Sequence, residues 1–321
     1  MLGSGSWNAI MILSVSRRTD VPNYYSDWFL HRIKEGFLYV RNPMNAHQVS
    51  RIELSPAVVD CMVFWTKNPV NMLEKLDCLK DYTYYFQFTL TGYGRDIEPG
   101  LPGKRETLIP TFRRLSQKIG KEKVIWRYDP IFISERYTAE YHVKAFAEIA
   151  ASLANDTKKV VISFGDFYEK IRRNLKECGI RQMKREEMFA LAGEMARIAS
   201  AHGLVIETCA EQIALESVGI SHGSCVDQQF IEQLLGCTLT GKKDKNQRQE
   251  CGCLESIDVG AYDTCPNGCK YCYANQSSSV VKERLKFWDE ESPLLCGHLC
   301  AEDRLTVRKV KSLKDTQISF L

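Results

Sequence analysis

Most of the motifs that announce a familiar chemistry are missing from this chain. It has no GxSxG, no P-loop and no dinucleotide-binding GxGxxG, so hydrolase and nucleotide-fold readings have no support. Histidines number six, and His47, His142, His202 and His222 are scattered, with no HExxH and no C-x2-C…H-x3-H pairing. A net charge of +3 over 321 residues gives no support to a broad nucleic-acid or membrane surface, and leaves room only for a local basic groove. No apolar run approaches the length of a membrane span. Ala9–Val15 is a short apolar run with no basic residue before it and Arg17-Arg18 after it, so no secretory signal is expected. The expected compartment is the cytoplasm.

Cysteine is what the chain has in excess. Thirteen cysteines, an odd number, are expected to stay reduced in that compartment rather than to form a disulfide framework. Hydrophobic content of 44% and charged content of 26% are ordinary for a globular chain. The length allows one large domain or two ordinary ones.

A β/α rhythm organises the first two thirds. Residues 1–10 are expected to be an irregular extension, with Met11 opening a buried strand at Ile12–Ser16. Strands are predicted at Val58–Trp65, Thr83–Leu90, Lys123–Trp126, Lys159–Ser163 and Leu204–Glu207, with a shorter one at Gly36–Val40. Helical periodicity falls at Asp27–Lys34, Val70–Leu79, Arg105–Ile119, Ala139–Leu153, Phe167–Glu177 and Arg185–His202, where Gly203 supplies a stop. This alternation predicts an α/β fold, a full or partial parallel TIM-like barrel over residues 11–237. Residues 238–250 read as a polar, mobile linker, 251–300 as a cysteine-rich segment completing the barrel, and 301–321 as a tail. Polar groups recur just after the strands: Arg17, Arg18, Thr19 and Asp20; Thr66, Lys67 and Asn68; Arg127 and Asp129; Asp166; Glu207, Cys209 and Glu211. In a barrel such positions converge on one rim. For Asp20, Asn68 and Asp166 a helix cap or turn is the plainer explanation.

The stretch Tyr262–Asn275, YDTCPNGCKYCYAN, carries the chemistry. Cys265, Cys269 and Cys272 stand in the spacing C-x3-C-x2-C, with Tyr271 before the third cysteine. Thiolates favour iron–sulfur clusters, zinc or Cu(I). Zinc sites more often pair two C-x2-C units, and this loop has a single C-x2-C step. The loop resembles the cluster loop of the radical S-adenosylmethionine (SAM) enzymes, whose pattern is C-x3-C-x-aromatic-C. That resemblance implies a [4Fe–4S] cluster on Cys265, Cys269 and Cys272, SAM bound at the open iron, and Tyr271 near its adenine. It further implies reductive cleavage of SAM to a 5′-deoxyadenosyl radical, with an electron donor such as a flavodoxin or ferredoxin and an unknown substrate. Such enzymes carry the loop after their first barrel strand, so a circular permutation is expected here, with Ser256–Val259 as the first strand and Ile12–Ser16 beside it. TKNP after the Val58–Trp65 strand loosely resembles the spore photoproduct lyase branch, which keeps a nucleic-acid substrate in view. SRRTD, VFWTKNP, RYDP and CGCLESIDVGAYDTCPNGCKYCYAN together resemble the bacterial domain-of-unknown-function family 1848. A glycine-rich GGE-type SAM motif is not found.

Arg17, Arg18, Lys67 and Arg127 are candidates for holding the SAM carboxylate or an anionic substrate, and for each the alternative is an ion pair with a nearby acid. Cys209, Cys225, Cys251 and Cys253 are candidates for a second iron–sulfur cluster or a zinc site, the alternative being buried free thiols. Cys296, His298 and Cys300 are a further metal candidate, while Cys61, Cys78, Cys178 and Cys237 read as core or incidental. Two other functions fit the loop: an iron–sulfur electron carrier or sensor, and a zinc-stapled nucleic-acid-binding barrel.

Overall fold

The computed structural model describes residues 11–308. The extension at 1–10 and the end of the tail, 309–321, lie outside the described residues. Eleven strands are present: β1 Met11–Val15, β2 Phe37–Arg41, β3 Gln48–Glu53, β4 Val59–Thr66, β5 Tyr84–Thr89, β6 Val124–Ile131, β7 Lys159–Phe164, β8 Val205–Cys209, β9 Ser221–Gly223, β10 Ile257–Asp258 and β11 Arg304–Val307. The helices are α1 Val21–Tyr24, α2 Ser26–Glu35, α3 Val70–Leu73, α4 Ile109–Ile119, α5 Ala139–Leu153, α6 Glu169–Glu177, α7 Arg185–Ala201, α8 Gln228–Leu235 and α9 Ser278–Leu285.

Eight strands form one sheet in the order β10-β1-β4-β5-β6-β7-β8-β9, and every pairing is parallel. Parallel strands need crossovers, and helices supply most of them. β10 breaks the sequential order. It comes last of the eight in the chain yet pairs with β1, Leu13 opposite Ile257 and Ser14 opposite Asp258. β9 and β10 are the two edges, and no ladder joins them among the described residues. The architecture is therefore an α/β fold on a large parallel sheet.

Side chains alternate along each strand, so the sheet has two different faces. Leu13, Phe64, Phe86, Trp126, Tyr128 and Ile162 join the main core, packed with Trp28 and Phe29 of α2, Phe112 of α4, Phe146 of α5 and Met195 of α7. Trp126 stacks on Phe146 at 4.8 Å between ring centroids. Ile12, Cys61, Val63, Tyr85, Ile125 and Val161 point the other way, into a second core with Ile231 of α8 and four further cysteines. Toward the C-terminal ends of the strands this second face turns polar, which is where the candidate site lies.

Several helix ends follow the sequence. Thr138 caps α5 by accepting from the Tyr141 N–H at 3.2 Å, and Gly203 takes φ +67° beyond α7. The Val70–Leu79 helix is divided into α3 and a 3-10 turn at Leu76–Leu79, and the Arg105–Ile119 helix begins with a π turn at Lys104–Leu108. Arg304–Val307, placed in the tail by the sequence, is a strand beside β3, which itself pairs antiparallel with β2. The 238–250 segment packs onto the body: Leu239 and Asp244 are buried, and Lys243 bridges Leu254. No helix among the described residues is long and apolar enough to cross a membrane.

Candidate active site

β10 delivers the chain directly into the cysteine loop. Asp258, its last residue, binds the segment after β1: it accepts from Ser16 Oγ at 2.5 Å and from the Arg17 N–H at 2.8 Å. Gly260 follows, and a Cβ there would lie 2.0 Å from Ser16 Oγ, so only glycine permits this approach. Asp20 is the second anchor. It is buried and accepts from Thr66 Oγ1 (2.6 Å), the Lys67 N–H (2.8 Å), Asn267 Nδ2 (3.1 Å) and the Asn23 N–H (3.3 Å). Its helix-cap role is thus real, but the same carboxylate also joins the ends of β1 and β4 to the loop. Gly268 turns the loop at φ +65°, and Asn275 Nδ2 donates to the Cys265 carbonyl at 2.7 Å.

These contacts place Cys265, Cys269 and Cys272 on the wall of a cavity of about 670 Å³. Burial pushes the Cys265 thiol up to about 12 and raises Cys269 and Cys272 as well. Thiols so placed are poor free nucleophiles, and a bonded metal would stabilise their thiolate form. Three sulfurs on one short loop, facing a cavity with room for a ligand, fit a cluster held by three cysteines.

Tyr271 sits between the loop and β5. Lys67 Nζ donates to Glu98 Oε1 (2.8 Å) and to the Tyr271 hydroxyl (2.7 Å); Lys104 Nζ binds the other Glu98 oxygen at 2.5 Å, and the Tyr271 hydroxyl also donates to Glu98. Burial opposes ionisation of Glu98, yet the two ammonium groups prevail and hold its carboxyl down at about 2. The two lysines respond differently, Lys67 being raised and Lys104 lowered. Burial is the main cause of the lowering of Lys104, and the charge of Lys67 adds to it.

The four proposed anion holders separate into two pairs. Lys67 is committed to Glu98, and Arg127 to Asp129 through Nε at 3.0 Å and through Nη2. Arg17 and Arg18 make no ion pair among the described residues. Arg17 lies over Trp65 at 5.0 Å, donates to Ser256 Oγ at 3.3 Å, and leaves Nη2 buried without a partner. Arg18 lies over Tyr262 at 5.0 Å and reaches the Gly260 carbonyl at 3.4 Å. Lys170 covers the same Tyr262 ring at 5.4 Å.

The opposite wall of the cavity carries Cys209, Cys225, Cys251 and Cys253. β8 extends to Cys209, so Glu207 and Cys209 belong to the strand rather than to the loop after it. Glu207 is spent on Lys159 at 2.9 Å. Asp166 pairs with Arg248 from the 238–250 segment, whose Asn246, Gln247 and Arg248 also line the cavity. Glu211 accepts from the Phe164 N–H at 2.8 Å, and burial raises its carboxyl to about 7. Cys296, His298 and Cys300 have other partners: Cys296 donates to the Arg284 carbonyl at 3.2 Å and His298 faces Asp289 at 3.8 Å. Cys300 instead groups with His47 and Asp303 within 4.8 Å, where Arg41 already holds Asp303 at 2.6 Å.

Glu98, Asp258 and Asn267 were not singled out from sequence. An acid within an otherwise apolar short strand, SIDVG, was the signal for Asp258; Glu98, nine residues beyond β5 in a turn-rich stretch, gives none.

Among solved structures, one assigned as an alpha-L-fucosidase from Bacteroides thetaiotaomicron VPI-5482 is 9% identical, with 89% of this chain and 94% of that chain covered and a TM-score of 0.29. The pneumococcal virulence factor StrH, studied for N-glycan recognition and hydrolysis, is 10% identical, with 77% and 69% covered and a TM-score of 0.26. Scores this low carry no argument about this chain. No curated protein matches it. Residues 12–274 match the model of the family described as a domain of unknown function, DUF1848, and the chain belongs to that family.

Proposed function

We propose that this DUF1848 protein is a radical SAM-type enzyme on a circularly permuted parallel barrel. Cys265, Cys269 and Cys272 would hold a [4Fe–4S] cluster, with SAM beside it in the cavity. The observation that carries this reading is the convergence of those three cysteines with the unpaired Arg17 and Arg18 on one cavity at the C-terminal ends of the parallel strands. The position of β10 supports the permutation: the strand that feeds the loop stands first in the sheet although it is the last of that sheet's eight strands in the chain.

The cluster with SAM supplies one-electron chemistry when bound. The chain supplies position, charge and exclusion of water. Arg17 offers an orphaned guanidinium nitrogen to a carboxylate, and Arg18 a second guanidinium from the same turn. Tyr271 packs at 6.1 Å from Phe132 and 5.9 Å from Tyr93, its hydroxyl fixed by Lys67 and Glu98, leaving an immobile aromatic wall for an adenine. The 244–248 segment covers the polar side through Arg248 and Asp166.

The test uses protein reconstituted anaerobically and reduced with dithionite in the presence of SAM. Iron and sulfide at four each per chain, with 5′-deoxyadenosine that disappears in Cys269→Ala, is the expected result. A reducible cluster indifferent to SAM would refute the enzyme reading in favour of an electron carrier or sensor. Zinc in the loop without iron would overturn both.

A further inference from the structure

We propose that Cys209, Cys225, Cys251 and Cys253 form a separate, closed tetrathiolate site for one zinc ion, tying the β8–β9 edge of the sheet to the segment that enters β10. The proposal stands independently of what the Cys265–Cys272 loop binds.

The four residues come from three places: the end of β8, the turn after β9, and a Cys-Gly-Cys stretch ahead of β10. All four are buried. The Cys209 and Cys225 sulfurs are 2.7 Å apart, and the backbone N–H groups of Cys225 and Val226 bring Cys253 Sγ beside them. Backbone geometry enforces the meeting. The Leu254 N–H donates to the Val226 carbonyl at 3.0 Å, and a Cβ on Gly252 would lie 2.5 Å from Ser224 Oγ. Glycine between the two cysteines leaves room for the Ser224 hydroxyl at this junction.

The surroundings are those of charged sulfur. The Cys225 and Val226 N–H groups both donate to Cys253 Sγ at 3.3 Å. Arg127 Nη1 stands 2.6 Å from Cys225 Sγ, and the partnerless Nη2 of Arg17 belongs to a guanidinium on the same Trp65 ring. Zinc with four thiolates carries a net charge of −2, which the Arg17 guanidinium offsets in part, while Arg127, already paired with Asp129, donates to Cys225 Sγ. Cys61 gives the contrast within the same core. It is equally buried, but its thiol meets the Met62 carbonyl at 3.7 Å, and burial together with Asp60 pushes it up against the weaker pull of Lys123.

The closeness of the Cys209 and Cys225 sulfurs favours one ion over a second cube. A cube keeps its ligands apart on separate irons, whereas four thiolates on zinc at about 2.3 Å touch along edges of about 3.8 Å. The Cys209–Cys225 pair has to open by about 1 Å to meet that edge. With four thiolates the shell is full, so the ion staples the fold and leaves no position for substrate.

The full chain carrying Cys265→Ala, Cys269→Ala and Cys272→Ala separates this site from the loop. Purified anaerobically, it is expected to contain about one zinc per chain and no sulfide. Added Cys253→Ser should lower the zinc at least tenfold. Should that variant fail to fold, cobalt in the parent triple variant is expected to show the visible bands of a tetrahedral all-thiolate site. Four irons with sulfide in the triple variant, a Cys209–Cys225 disulfide in the isolated protein, or no zinc and no cobalt bands would each overturn the proposal.

Discussion

Replacing Glu98 by Gln tests whether the tyrosine of the cysteine loop is held by buried charge. Glu98 is 1% exposed, and Lys67, Lys104, Thr91 and Tyr271 all donate to it. Removing the anion strands two ammonium groups, and cutting one partner from a buried pair costs about 3–5 kcal/mol. Linkage gives a similar figure: lowering a carboxyl from 4.5 to about 2 corresponds to about 3 kcal/mol. The folded-state value lies below the unfolded one. This stabilisation is therefore complete above pH 4.5 and lost as pH falls toward about 2. Thermal melts of wild type and Glu98→Gln should differ by roughly 5–10 °C at neutral pH. Urea titrations should show the gap constant above pH 5 and closing as acid is added. A neutral-pH gap under about 1 kcal/mol, or one that does not change with acid, would refute the argument, because a buried anion between two cations cannot be silent.

Glu211 has the opposite sign. Its carboxyl is raised to about 7, so its protonated form favours the fold, and stability falls as pH rises through that value. Glu211→Gln should therefore be about 2–3 kcal/mol better relative to wild type at pH 8 than at pH 5 in urea denaturation. Gly260→Ala should cost about 1–3 kcal/mol by collision with Ser16, more than Gly179→Ala, where φ is +65° but no atom lies within 4 Å; paired melts decide this. Arg18→Gln should weaken SAM binding by about 10–100-fold with iron content unchanged, measured by equilibrium binding to the reconstituted protein.

The sequence carried the sheet well because its signals are local. A buried parallel strand is a short apolar run, and the Val59–Thr66 and Lys159–Phe164 strands differ from their predicted bounds by a residue or so. Helix α5 coincides with its prediction because Thr138 caps it and its apolar spacing is regular. The misses are elements whose reason for existing lies elsewhere in the chain. β3 is half polar and forms only because β2 and β11 flank it, and β9 is three residues long with no apolar run. Residues 238–250 look soluble, yet Leu239 anchors them to α8 and Arg248 to Asp166. At the site, residue type identified the cysteines and the cations, but pairing is a property of three dimensions. Nothing in the sequence separates Arg127, which has Asp129 two positions away and binds it, from Arg18, which has Asp20 two positions away and does not.

That last contrast bears on how the cavity works. Asp20 cannot serve Arg18, because its oxygens are already taken by Thr66, Lys67, Asn23 and Asn267. The carboxylate that would neutralise the turn is used to build it, which leaves Arg18 facing the cavity with its charge uncompensated. Arg17 differs: Asp258 accepts from its backbone N–H and favours its charge from nearby, but makes no salt bridge with its guanidinium. On the walls, Lys67 and Arg127 each pair with an acid, Glu98 and Asp129, so neither is free to bind a ligand's anion. The guanidinium groups of one turn, Arg17 and Arg18, lack such a pair among the described residues and line the same cavity as both groups of cysteines. Buried guanidinium groups are tolerated where an anion arrives to pair with them. A site so arranged favours anionic groups, such as the metal-bound thiolates and the carboxylate proposed above, over a cationic occupant.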